Sequence, residues 1–120
     1  MAFWDDLERK AGSVRRSILE HPFVIGVGDG SLDVNKFKFY IQQDYIYLID
    51  YSRVLGLASA RAPDLEVMGW FARLLDETLN TEMDLHRSYC AEFDIKDEDL
   101  DSTVAAPATL NYTSYLMNVA

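Results

Sequence analysis

Between Asn35 and Ala60 the apolar residues recur at spacings of three and four, and one carboxylate stands among them. Helical positions advance by roughly 100° each. On that projection Phe37, Ile41, Leu48, Tyr51 and Leu55 fall within one narrow sector, Asp44 falls in the same sector, and Tyr40 and Tyr47 flank it. The run is too long for a strand and lacks two-residue alternation, so it reads as a helix that ends before Pro63.

The rest of the chain follows the same period. Ala2 to Glu20 places Phe3, Leu7, Ala11, Val14 and Ile18 on one stripe, and His21-Pro22 ends it. The glycines of FVIGVGDGSLDV predict a loop, with Ser31 or Asp33 as the N-cap of the helix that follows. No Lys-Ser/Thr pair and no complete GxGxxG accompany them, which excludes a phosphate loop. From Pro63 to Phe93 a further helix opens on PDLE. Its stripe is Met68, Phe71, Ala72, Leu75, Leu79, Glu82, His86, Tyr89 and Phe93. The acidic stretch DIKDEDLDST reads as a solvated loop with room for one helical turn, and a last helix starts after Pro107. The fold class is therefore all-α, a helical bundle. Two helices of roughly 25 to 30 residues are long for so small a domain. Their apolar faces call for more helices than these, from tight oligomerisation or from a longer bundle.

Charge and cysteine content narrow the function. Twenty acids against eleven bases give a net charge of −9, which argues against nucleic-acid backbone binding. The basic residues Arg9, Lys10, Arg15 and Arg16 are interleaved with acids and read as a solvated face. Cys90 is the single cysteine, so no internal disulfide forms and a reducing compartment is expected. The N-terminus has neither signal nor transit character, and no run approaches the roughly 18 apolar residues of a membrane span. A cytoplasmic protein is expected.

Three places could carry chemistry. An ionised carboxylate in an apolar interior costs several kcal/mol unless it is partnered. Asp44 therefore either bonds a neighbouring helix or accepts a hydrogen bond from a polar ligand, with the tyrosines of its helix packing on a flat ring. Glu82 and His86, four residues apart, read as a structural pair or as half of a metal site. Helical di-iron proteins use a spacing one residue shorter, and the only other histidine, His21, precedes a proline. Cys90 lies four residues beyond His86, as in a Cys–His nucleophile pair, but no recognisable oxyanion hole or third group goes with it; a small buried residue is the plainer role.

Three separated stretches, taken together, resemble the TenA family, also called thiaminase II, of the haem-oxygenase-like helical fold. They are HPFVIGVGDGSL followed by KFKFYIQQDYIYLIDYSRVLGLASARA, with its QD-x-x-Y pattern; ETLNTEMDLHRSYCAEFDI, with its E-M-x-L-H core; and APATLNYTSYLMNVA, with its Y-T-S-Y feature. The resemblance covers nearly the whole chain. It implies an aminopyrimidine pocket among helices, no cofactor, and hydrolysis of aminomethyl-pyrimidine breakdown products of thiamin or of thiamin itself. It places the pyrimidine-contacting aspartate at Asp44, the ring-packing aromatic at Tyr47 and a pocket tyrosine at Tyr112.

The departures from the family are equally specific. Members are roughly twice as long, with a nucleophilic cysteine in a later helix and a catalytic glutamate near the C-terminus; neither has a match here, and Cys90 does not fall at the nucleophile's position. Residues 1–120 are thus expected to form either a single all-α domain or the N-terminal half of a longer TenA-like bundle. The chain would supply the pyrimidine-binding half of the pocket, in a homo-oligomer or with a missing C-terminal half, with no membrane or nucleic-acid partner. The alternatives are a non-catalytic pyrimidine-binding or interaction protein, and a haem-oxygenase-like metal oxidase using Glu82 and His86.

Overall fold

The computed structural model describes residues 2–120, which are all-helical, with no strand. They fall into two compact units, one ending at Phe37 and the other beginning at Lys38. Among the described residues no helix is long and apolar enough to cross a membrane.

In the first unit, α1 spans Ala2–Leu19 and carries no buried residue. Its basic side chains pair along the helix, Arg9 and Lys10 with Asp6 and Arg15 with Glu8, as expected of a solvated face. The glycine-rich stretch departs from the loop expected of it: Pro22–Asp29 form a helix, α2. Two caps outweigh the helix-weakening glycines. Pro22 stands at the start, where its missing N–H costs nothing, and the His21 ring Nδ1 accepts the Phe23 N–H at 3.0 Å. Gly26 suits close packing, because a Cβ there would lie a tight 3.1 Å from that of Leu32. The turn is confined to Gly30, whose φ of 78° needs glycine. Asp33 then caps the next helix, its carboxylate accepting the Asn35 N–H at 2.8 Å.

That helix, α3, runs Val34–Ala60. Its buried stripe in the second unit is Ile41, Tyr45, Leu48, Ser52 and Leu55, a strict alternation of four and three. The sector expected from the sequence is centred about one position away, with Asp44 and Tyr51 where the buried file has Tyr45 and Ser52. Both tips are satisfied inside: Tyr45 donates to Asp101 at 3.2 Å, and Ser52 bonds the Leu48 carbonyl at 2.8 Å. Asp44 consequently lies at the edge of the buried stripe and not at its middle, with its side chain 31% exposed.

The following long helix starts at Leu65, capped by Asp64, whose carboxylate accepts the Val67 N–H at 2.9 Å. It continues as α4 (Leu65–Glu77), a π-helical turn (Thr78–Glu82) and α5 (Met83–Glu92). The π turn holds one residue more than an α turn, and the Met83 N–H bonds the Thr78 carbonyl five residues back. The buried file therefore steps from Thr78 to Met83 and on to Cys90, while Leu79 and Tyr89, expected in the stripe, are exposed. A constant rotation per residue fails by one residue across this turn.

The acidic stretch is less of a loop than its charge implied. It forms a short helix, α6 (Asp97–Asp101), anchored by the buried Ile95 and Leu100. Each such burial contributes roughly 1.5–3 kcal/mol. The last helix, α7, spans Pro107–Val119.

Candidate functional site

On the flank of α3, between its buried stripe and its opposite side, lies a groove of about 370 Å³. Tyr40, Gln43, Asp44 and Tyr47 line it from α3, and Ala108, Thr109 and Tyr112 from α7. The three residues expected to touch a ligand, Asp44, Tyr47 and Tyr112, thus meet in one groove. Tyr47 stacks on both sides, with ring centroids 5.5 Å from Tyr51 and 5.8 Å from Tyr112. Two rings of this ladder, Tyr47 and Tyr112, give the groove an apolar aromatic wall.

Gln43 holds the two walls together. Its buried amide donates to the Val104 carbonyl at 3.0 Å, and its carbonyl accepts from the Ala106 N–H at 2.9 Å and the Thr109 hydroxyl at 2.8 Å. A glutamine with three partners fixes the start of α7, and with it Tyr112, against α3. Gln43 is the glutamine of the QD-x-x-Y pattern, but no role was expected of it, since a buried glutamine has no periodic signature; the neighbouring heptad of Tyr45 and Ser52 could have revealed that α3 is covered on several sides.

Burial pushes the Asp44 carboxyl above its ordinary value; His86 pulls the other way and the charge of Glu82 adds to the rise. The Tyr47 hydroxyl is likewise held up, first by burial and then by Tyr112, Tyr51 and Asp44. An ionised Asp44 is thus held at some cost, and a hydrogen-bonding ligand would relieve it.

The other candidates sort differently. His86 on α5 turns its Nε2 to Asp44 Oδ2 at 3.5 Å and its Nδ1 to Cys90 Sγ at 3.6 Å. Both ring nitrogens are therefore directed at groups other than Glu82, which is exposed, so the Glu82–His86 structural pair expected from their spacing does not form. Among the described residues no cluster of three or more His, Cys, Asp or Glu could hold a metal ion. Cys90 is fully buried, and burial raises its thiol, which disfavours the thiolate a nucleophile needs.

The chain belongs to the TENA/THI-4/PQQC family, whose model matches residues 8–120. It is 48% identical over 120 residues to the aminopyrimidine aminohydrolase of Halalkalibacterium halodurans, covering 100% of this chain and 54% of that protein. It is 33% identical to the aminopyrimidine aminohydrolase of Bacillus subtilis over 116 residues, covering 97% of this chain and 49% of that one. Among solved structures, the TenA homologue protein from P. horikoshii OT3 superposes with a TM-score of 0.91 at 29% identity, covering 95% of this chain and 53% of that one. A TenA family transcription regulator from Silicibacter sp. gives 0.90 at 29% identity, covering 96% and 51%. The chain therefore spans about half the length of the curated relatives it matches.

Proposed function

We propose that this chain forms the pyrimidine-holding part of an aminopyrimidine aminohydrolase site of the thiaminase II type. The observation that carries this reading is the groove in which the Asp44 carboxyl stands beside the Tyr47–Tyr112 stack. A 4-aminopyrimidine is flat and presents an amino donor next to a ring-nitrogen acceptor. A carboxylate accepts the amino hydrogen, and a carboxylate held at some cost by burial gains from such a partner. The tyrosine rings that line the groove pack against the pyrimidine with little loss of freedom. The name of the halodurans relative, and its 48% identity over this whole chain, support the same reading.

Hydrolysis also needs an attacking group, and the buried Cys90 is poorly placed to supply one. We therefore assign residues 1–120 the role of the N-terminal half of a longer bundle, with the attacking group contributed by a further segment or by another copy in a homo-oligomer. The unpaired, buried cysteine fits a reducing, cytoplasmic setting. A nucleic-acid role, as the name of the Silicibacter neighbour would have it, is disfavoured by the net charge of −9.

The test is calorimetric titration of the chain with 4-amino-5-hydroxymethyl-2-methylpyrimidine, beside an assay for ammonia release from the aminomethyl analogue. Saturable binding without turnover is expected. Absence of binding would remove the groove from consideration, and rapid ammonia release would show that the chain carries its own attacking group. The second reading, a binding protein without hydrolysis, is favoured if no added segment or copy confers turnover.

A further inference from the structure

Behind the groove, Asp44 has a neighbour to which the aminopyrimidine reading gives no task. The His86 side chain is 9% exposed. Its Nε2 is sealed from solvent and makes no hydrogen bond, yet it faces Asp44 Oδ2 at 3.5 Å, just beyond bonding range. Its Nδ1 lies 3.6 Å from the sulfur of Cys90, one turn further along α5. A sealed ring nitrogen without a partner destabilises a fold, so its retention calls for a reason.

Two nitrogens and two neighbours fix the hydrogens. An ionised carboxylate only accepts, so the nitrogen opposite it must carry hydrogen; Nδ1 then offers a lone pair to the Cys90 S–H. Every group in the line Cys90–His86–Asp44 is compatible in that single tautomer. The 3.5 Å gap is the slack: a small turn of the Asp44 carboxylate closes it.

We propose that His86 is a positioning residue for Asp44, its Nε2–H, kept in place by the Cys90 thiol, closing on Oδ2 when a pyrimidine amino group engages Oδ1. This rests on the aminopyrimidine reading of the groove. The imidazole thereby fixes the rotamer of the carboxylate that meets the ligand, and the Cys90 thiol serves as the anchor of that imidazole in place of a nucleophile. No proton leaves the line: the S–H stays on sulfur and the N–H on Nε2.

The experiment uses the 120-residue chain labelled with ¹⁵N, in which His21 is the only other histidine and serves as an internal reference. Long-range ¹⁵N–¹H spectra are expected to show His86 protonated at Nε2. Addition of 4-amino-5-hydroxymethyl-2-methylpyrimidine should move the His86 nitrogens and leave those of His21 in place. His86→Leu should weaken binding roughly tenfold, as loss of a charge-assisted hydrogen bond does. His86→Gln, whose amide nitrogen reaches near the Nε2 position, should restore most of that loss, and neither change should matter in an Asp44→Asn background. A folded His86→Leu chain with unchanged affinity overturns the proposal. Should that variant not fold, an Nδ1-protonated ring, or ring nitrogens indifferent to the ligand, overturns it in the wild type. If the wild type binds no pyrimidine, the aminopyrimidine reading fails by itself. The His86–Asp44 pairing then stands or falls on whether Asp44→Leu moves the His86 signals.

Discussion

The side-chain carbonyl of Gln43 accepts the hydroxyl hydrogen of Thr109 at 2.8 Å, and through this bond and two others a buried amide on α3 fixes the first turn of α7. Asp44, the next residue in the chain, faces the groove that this clamp closes. Fold and candidate site are thus joined at two consecutive positions.

Gln43→Leu should unfold more easily in urea by about 2–3 kcal/mol, because it removes three part-buried hydrogen bonds that a leucine cannot make. It should also weaken pyrimidine binding, since Tyr112 loses its fixed place. Unchanged stability would mean that Val104, Ala106 and Thr109 find other partners.

Asp44→Asn should bind the hydroxymethyl-aminopyrimidine at least roughly tenfold more weakly, and should also melt at a higher temperature at pH 7. The sign follows from the carboxyl's raised value. A folded state that holds its proton more tightly than the unfolded chain is penalised once the group ionises. That penalty is absent below the ordinary value of 3.8 and grows as pH rises through the elevated folded value. The gain from Asn should therefore shrink to nothing as melts are repeated at falling pH. A variant less stable at pH 7 would favour a structural duty for Asp44.

Tyr112→Phe should keep the stack on Tyr47 and bind within about threefold of the wild type, whereas Tyr112→Ala should lose on the order of tenfold. Equal losses in both would shift the weight from the ring to the hydroxyl.

Met83→Ala should cost about 2–4 kcal/mol, as for other buried methionines, while Leu79→Ala, at an exposed position, should cost well under 1 kcal/mol. The reverse order would contradict the register that the π turn imposes.

Cys90 should resist a thiol reagent in the native chain and react fully in denaturant, since burial both covers the sulfur and raises its thiol. Rapid native labelling would point to an open Cys90 and reinstate it as a nucleophile.

The long helices were legible in the sequence because their apolar periods are long and their caps and prolines are conventional. Asp33, which caps α3, was one of two caps the residue types offered, whereas α4 starts at Leu65 under Asp64 and not at Pro63, where its PDLE opening had placed the start. Three things were not legible, each for a physical reason. The helix Pro22–Asp29 was hidden because its stability rests on end caps and on Leu32 packing against Gly26, which a count of glycines does not register. The displaced stripe of α3 arose because Tyr45 and Ser52 are buried with their polar atoms satisfied. The misplacement of Leu79 arose from an extra residue in one turn, which leaves no mark in composition. At the candidate site Asp44 stood out because a carboxylate in an apolar file is rare. Gln43 did not, because its partners lie some sixty positions away and only the fold brings them close.

The π turn carries a further implication for how relatives should be compared. Because Thr78 and Met83 face the same way across five residues, a chain lacking one residue between them would keep His86 and Cys90 on the same side by reverting to an ordinary α turn. A single-position gap within Thr78–Glu82 is therefore neutral for the site, whereas the same gap between Met83 and His86 would swing the imidazole away from Asp44. Insertions and deletions along this helix are to be weighed by where they fall and not by their number.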